Sequence, residues 1–180
     1  MVNLKEILEE TIPLKEHSLR WMFENEEGQL PSKEHLDQIF PLTSSAAVAL
    51  SKFEQLTKIG YYRPMSKKYF QEVEEFVFGE KTEKEVKKWL YQRQIKFDTV
   101  VYINFDSTEA FAMTYKMLIH YAANLFVSNE TVVWDKTLNW GLYYDHNDVF
   151  YFAKNRIYDG QKEKLKFDQF VKEVTQKKSN

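Results

Sequence analysis

The chain contains no cysteine in its 180 residues. That single absence excludes disulfides, thiolate metal sites and cysteine nucleophiles together. Glycine and proline are also scarce, at five and four, which leaves little material for long flexible linkers. Apolar runs stay far short of the ~20 residues a membrane helix needs. The stretch from Met1 to Glu6 lacks the basic-then-apolar profile of a secretory leader. These gaps point to a cytoplasmic chain with no membrane contact.

Excess charge is small overall, at −2, but it is unevenly spread. Residues 1–39 hold four Lys/Arg against nine Asp/Glu, whereas residues 161–180 hold six lysines against three acids. Solvated helix faces account for such runs. Residues 63–98 carry nine bases and seven acids, a near balance that argues against a phosphate-tracking surface and makes nucleic acid an unfavoured partner.

What is present is ordinary globular material with one excess. Hydrophobic residues make up 43% and charged residues 29%, but aromatics reach 16%. Such rings bury large areas and are favoured in strands and interfaces. The length suits one domain, residues 1–180, with a self-sufficient core.

Hydrophobic spacing predicts helices through the first half. Leu4, Ile7, Leu8 and Ile12 mark one; Leu14, Trp21 and Met22 a second, ending near Gly28; Leu36, Ile39 and Phe40 a third, stopped by Pro41. Ser44 to Lys58 reads as a clear helix, capped by Ser44-Ser45 and ended by Gly60. Phe70, Val73, Phe76 and Val77 fit a helix opening at Ser66 and closing at Gly79, and Thr82 with Glu85 forms a capping box for the next. The pattern changes near Asp98. Thr99 to Phe105 reads as a buried strand, followed by a long helix from Ser107 to about Phe126 with Asp106 as its cap. Thr131 to Asp135 reads as a strand. Asn139–Tyr144 and Val149–Ala153 read as two more, joined by a turn at Asp145-His146-Asn147-Asp148. A last helix carries Phe167, Phe170, Val171 and Val174. The expected fold is α+β: a helical N-terminal half (about 1–97) packed with a small, mainly antiparallel sheet of about four strands and a C-terminal helix (about 98–180).

No motif for catalysis, metal or cofactor stands out, and none is expected. His120 has Lys116 and Asn124 at helical neighbour positions, which is not metal spacing, and His17 and His35 show no partner in sequence. The Asp145–Asp148 turn lacks the glycine and ligand spacing of a calcium loop. Ser44-Ser45 lacks a nucleophile elbow. The strongest signal is the aromatic density of residues 134–158. On a strand, alternate side chains face opposite sides, so either the helices, which are numerous enough, cover both faces of the hairpin, or a half-exposed hairpin presents one aromatic row to a partner, with Trp134, Trp140, Tyr144 and Tyr151 as the candidate binding residues. The expected function is therefore a non-enzymatic protein-binding module, an accessory or immunity-like protein with another protein as its partner. The alternative is a small enzyme or ligand-binding domain with Asp106, Asp135, His120 and Asp145 as its candidate polar groups, the carboxylates Asp106 and Asp135 lying at strand ends on one edge of the sheet. Oligomeric state is open at this level.

Overall fold

The computed structural model describes residues 4–59, 65–77, 82–127 and 130–157. Its frame is one seven-stranded sheet: β1 (Ile39–Pro41), β2 (Phe70–Val77), β3 (Val100–Asn104), β4 (Ala110–Thr114), β5 (Thr131–Asp135), β6 (Trp140–Asp145) and β7 (Val149–Arg156). The spatial order is β1-β4-β3-β5-β6-β7-β2, with every neighbouring pair antiparallel. The helices are α1 (Leu4–Glu9), α2 (Lys33–Leu36), α3 (Ser44–Thr57), α4 (Glu83–Tyr91), α5 (Tyr115–His120) and α6 (Ala122–Leu125). No helix of the described residues is long and apolar enough to cross a membrane.

This overturns the expected helical N-terminal half beside a four-stranded sheet. The described chain is mostly sheet with few, short helices. Two strands, β1 and β2, arise within the segment expected to be helical, and β4 occupies the start of the expected long helix. Residues 14–23 form two 3₁₀ turns, Leu14–Glu16 and Arg20–Phe23, rather than a helix. Gly28 lies in a turn at φ +73°, a backbone shape glycine adopts without strain. The expected C-terminal helix, and the glycines at 60, 79 and 160, lie outside the described residues.

Local chemistry explains each change. β2 has Phe70, Val73, Phe76 and Val77 at helical spacing, yet it is an edge strand whose two faces are only partly covered. Strand alternation puts Glu72, Glu74 and Phe76 on the face that meets Trp89, whereas Phe70 is buried on the opposite face in the α3 layer. The acids survive there because Lys154 pairs with Glu72 at 3.0 Å and Arg93 pairs with Glu74. β4 is rich in the helix formers Ala and Met, but it lies between β1 and β3 with Ala110 to Met113 buried. Burial on both faces overrides propensity. Asp106 caps no helix. Its Oδ1 accepts from the backbone N–H of Thr108 at 2.6 Å and of Glu109 at 3.0 Å, closing the β3–β4 turn. The helix N-cap instead falls at Thr114, whose Oγ1 accepts from Met117 N at 3.4 Å.

Other local signals appear where the sequence places them. The Glu85 carboxylate accepts from Thr82 N at 2.7 Å in the capping box of α4. α3 forms as expected, although its cap is Thr43, accepting from Ala46 N at 3.2 Å, while Ser45 donates to Glu10 Oε2 at 2.7 Å. Lys58 in the left-handed region ends it.

Two cores lie on opposite faces of the sheet. On one face, α4, α5, α6 and the 3₁₀ turns bury Trp89, Leu90, Met117, Leu118, Leu125, Met22 and Phe23 against Ile103, Phe111, Val133, Trp140, Tyr144 and Phe150. On the other, α1 and α3 bury Ile7, Ala46, Ala47 and Leu50 against Tyr102, Ala112, Trp134 and Ala153. Gly141 sits in this second layer, where an added Cβ would collide with Met65 Cε and lie 3.6 Å from Ile59 Cδ1. Gly141→Val is expected to cost ~1–3 kcal/mol by overpacking. Chemical denaturation should show a smaller cost in a Met65→Ala background; an equal cost would place the obstruction elsewhere.

Candidate functional site

The β6–β7 hairpin places Tyr143 and Tyr151 directly opposite each other. Their rings stack with centroids 6.1 Å apart and planes 27° apart. Both belong to the face covered by α3, but beyond the helix they border an open cavity of about 480 Å³, lined with Met65, Ser66, Asp145 and Asn147. Tyr151 is half-buried. The hairpin turn holds its shape through Asp145 Oδ1, which accepts from Asn147 N at 2.9 Å, and through Asp148 at φ 59°.

The rim is acidic. Glu130, just before β5, is hydrogen-bonded to the Tyr143 hydroxyl, and this carboxylate adds to the burial that pushes the phenol upward in pKa. His146 Nδ1 lies 3.3 Å from Glu130 Oε1 and 3.7 Å from Asp145 Oδ1. These three groups have ligand atoms within 4.8 Å of one another, but His146 and Glu130 are exposed, and exposed polar groups approach this closely without an ion between them. The site offers a flat aromatic shelf beside carboxylates. Its chemistry suits a cation, which is attracted both to the ring faces and to the acids.

The candidate binding residues divide sharply. Trp134 is 0% exposed, Tyr144 1% and Trp140 5%. Trp134 stacks on Tyr102 and Trp140 packs on Tyr115 and Phe152. Tyr144 donates to Asp148 Oδ1 at 2.8 Å, and burial, with help from that carboxylate, pushes its pKa up to about 12. Tyr151 alone of the four borders the cavity. Tyr143, 8% exposed, backs the shelf and reaches the cavity only at its edge; its signal in the sequence was its place two residues before the turn, opposite Tyr151.

Asp106 and Asp135 are not brought together. Asp135 pairs with Val101 at the start of β3, and Asp106 follows the end of β3. At ~3.4 Å per residue the two are separated by roughly 17 Å along the strand direction. His120 is exposed, its ring 4.7 Å from that of His35, and burial followed by His35 lowers its pKa. His17 is buried, with its ring 4.2 Å from that of Phe111.

A second cavity of about 500 Å³ lies between β2, β7 and the end of α4, bordered by Glu72, Glu74, Arg93, Phe152 and Lys154. Glu72 and Glu74 are already paired across the groove, with Lys154 and Arg93. A third, about 320 Å³, is apolar and lies beside β1, with Leu14, Leu30, Leu36 and Phe40 in its walls. No protein-family model, curated protein or solved structure matches the chain.

Proposed function

We propose that the chain is a protein-binding module, an accessory or immunity-like protein, that holds a lysine or arginine side chain of its partner on the Tyr143–Tyr151 shelf. The observation that carries this reading is the stacked tyrosine pair opening onto a cavity of about 480 Å³ with Asp145 at its edge. Tyrosine faces supply area at low entropic cost, and a carboxylate at the rim orients a cation across them. The separation of Asp106 from Asp135 gives the paired-carboxylate enzyme no support.

The test is an NMR titration with two short peptides, Gly-Arg-Gly and Gly-norleucine-Gly. The arginine peptide is expected to shift resonances of Tyr143, Asp145, Asn147 and Tyr151. Tyr151→Ala and Asp145→Asn are each expected to weaken binding by about tenfold, the scale of ~1.4 kcal/mol. Equal shifts from the uncharged peptide, or shifts confined to another surface, would sink the proposal.

A further inference from the structure

Glu54 is the one carboxylate among the described residues that lies wholly inside the packing between α3 and the sheet, at 4% exposure. Its Oε1 accepts from Trp134 Nε1 on β5 at 2.7 Å. Its Oε2 accepts from Asn104 Nδ2 on β3, also at 2.7 Å. Asn104 Oδ1 is buried with no hydrogen-bond partner.

We infer that Glu54, Asn104 and Trp134 form a proton-operated latch between α3 and the sheet, closed while the Glu54 carboxyl is neutral and weakened when it ionises. An ionised carboxylate here is buried with two neutral donors. A neutral carboxyl still accepts from Trp134 through one oxygen. Its O–H then needs an acceptor, which the Asn104 amide supplies by turning over across the same 2.7 Å. The side-chain proton therefore sets the sense of the Asn104 hydrogen bond.

The surroundings support this reading. β4 presents Ala110 and Ala112 to this layer. From β3, Tyr102 stacks on Trp134, its own pKa raised to about 12 by burial and then by Asp135. From β7, Arg156 donates to the Thr57 carbonyl, on the next turn of α3. Glu10 lies at the far end, taking the Ser45 hydroxyl, while Lys52 on α3 is exposed and Lys58, which follows it, is half-buried. Burial raises the Glu54 pKa from 4.5 to about 7, with Trp134 and Asn104 offsetting it in part. The sign follows: between those values the folded chain holds a proton that the unfolded chain has released, so stability falls as pH rises.

Unfolding equilibria of wild type and Glu54→Gln, measured from pH 5 to pH 8, test the latch. Glutamine copies the neutral acid: its oxygen accepts from Trp134 and its amide donates to a turned Asn104. His17, whose pKa burial lowers, costs stability as pH falls, but it is common to both proteins and cancels in their ratio. The wild-type unfolding constant is expected to rise about 70-fold relative to that of the variant across this range. A ratio constant within about threefold would overturn the inference. An infrared spectrum of the wild type at pH 6 decides the matter if the variant fails to fold. A protonated carboxyl band that titrates away by pH 8 is expected, and its absence would overturn the latch.

Discussion

Trp134→Ala is expected to cost about 5 kcal/mol, close to the whole stability of a marginal domain. Removing a large, fully buried aromatic costs ~3–5 kcal/mol through lost transfer energy and the cavity left behind. Here the indole is 0% exposed, with Tyr102 at 4.7 Å and Phe53 at 5.2 Å between centroids. The deletion also removes the donor to Glu54 Oε1, and stranding a buried acceptor adds ~1–3 kcal/mol. Trp134→Phe separates these contributions. It keeps most of the packing and loses only the donor, for about 2 kcal/mol. Because Trp134 steadies the Glu54 carboxylate, the phenylalanine variant should lose more at pH 8 than at pH 5. Urea denaturation at both values is the measurement. A loss under ~2 kcal/mol for the alanine variant would show that Trp134 is not a keystone of this layer.

The structure shows which physical signals in the sequence were sufficient. Strands β3, β5, β6 and β7 were legible because β-branched and aromatic residues cluster there, with a turn of Asp and Asn between the last two. α3 and the Thr82–Glu85 capping box were legible because they depend on near neighbours. β1 and β2 were hidden because each takes its state from a strand far away in sequence, and β4 because its composition is that of a helix although it turns back on β3 and is covered by distant β1. β2 pairs with β7, so Glu74 lies opposite Phe152 and finds Arg93. In the sequence alone those glutamates simply look like the polar side of a helix. β4 is a run of alanine, phenylalanine and methionine that becomes a strand only because β1 and β3 flank it.

The candidate site was legible in part. The aromatic density marked the right hairpin, but it could not say which row is covered. Coverage depends on where α3 and α4 dock, and that is set by contacts such as Leu50 against one face and Trp89 against the other. Glu54 gave no signal at all. It sits in an ordinary amphipathic helix, and only the approach of Asn104 and Trp134, 50 and 80 residues away, makes it unusual. For Asp106 the sequence gave the right local chemistry, a carboxylate satisfying backbone N–H groups, attached to the wrong element.

One hairpin should therefore give two opposite phenotypes. Trp140→Ala is expected to cost ~3–5 kcal/mol, because its ring is 5% exposed and wedged between Tyr115 and Phe152, 6.0 and 5.9 Å away. Tyr144→Ala should behave alike, since its ring packs on Phe150 at 5.0 Å and its hydroxyl holds Asp148. A partner lost in a Trp140/Tyr144 double variant would consequently report unfolding rather than a lost contact. Tyr151→Ala removes a half-buried ring at the cavity and should cost under ~1.5 kcal/mol while weakening cation binding. The two effects are separable because Trp140 and Tyr151 project to opposite faces of the same sheet, one into the core beneath α4 and α5, the other toward the opening. Thermal denaturation of both single variants, alongside the arginine-peptide titration, makes the comparison. A Trp140→Ala protein as stable as wild type would place that ring outside the core and reverse the assignment of the two faces.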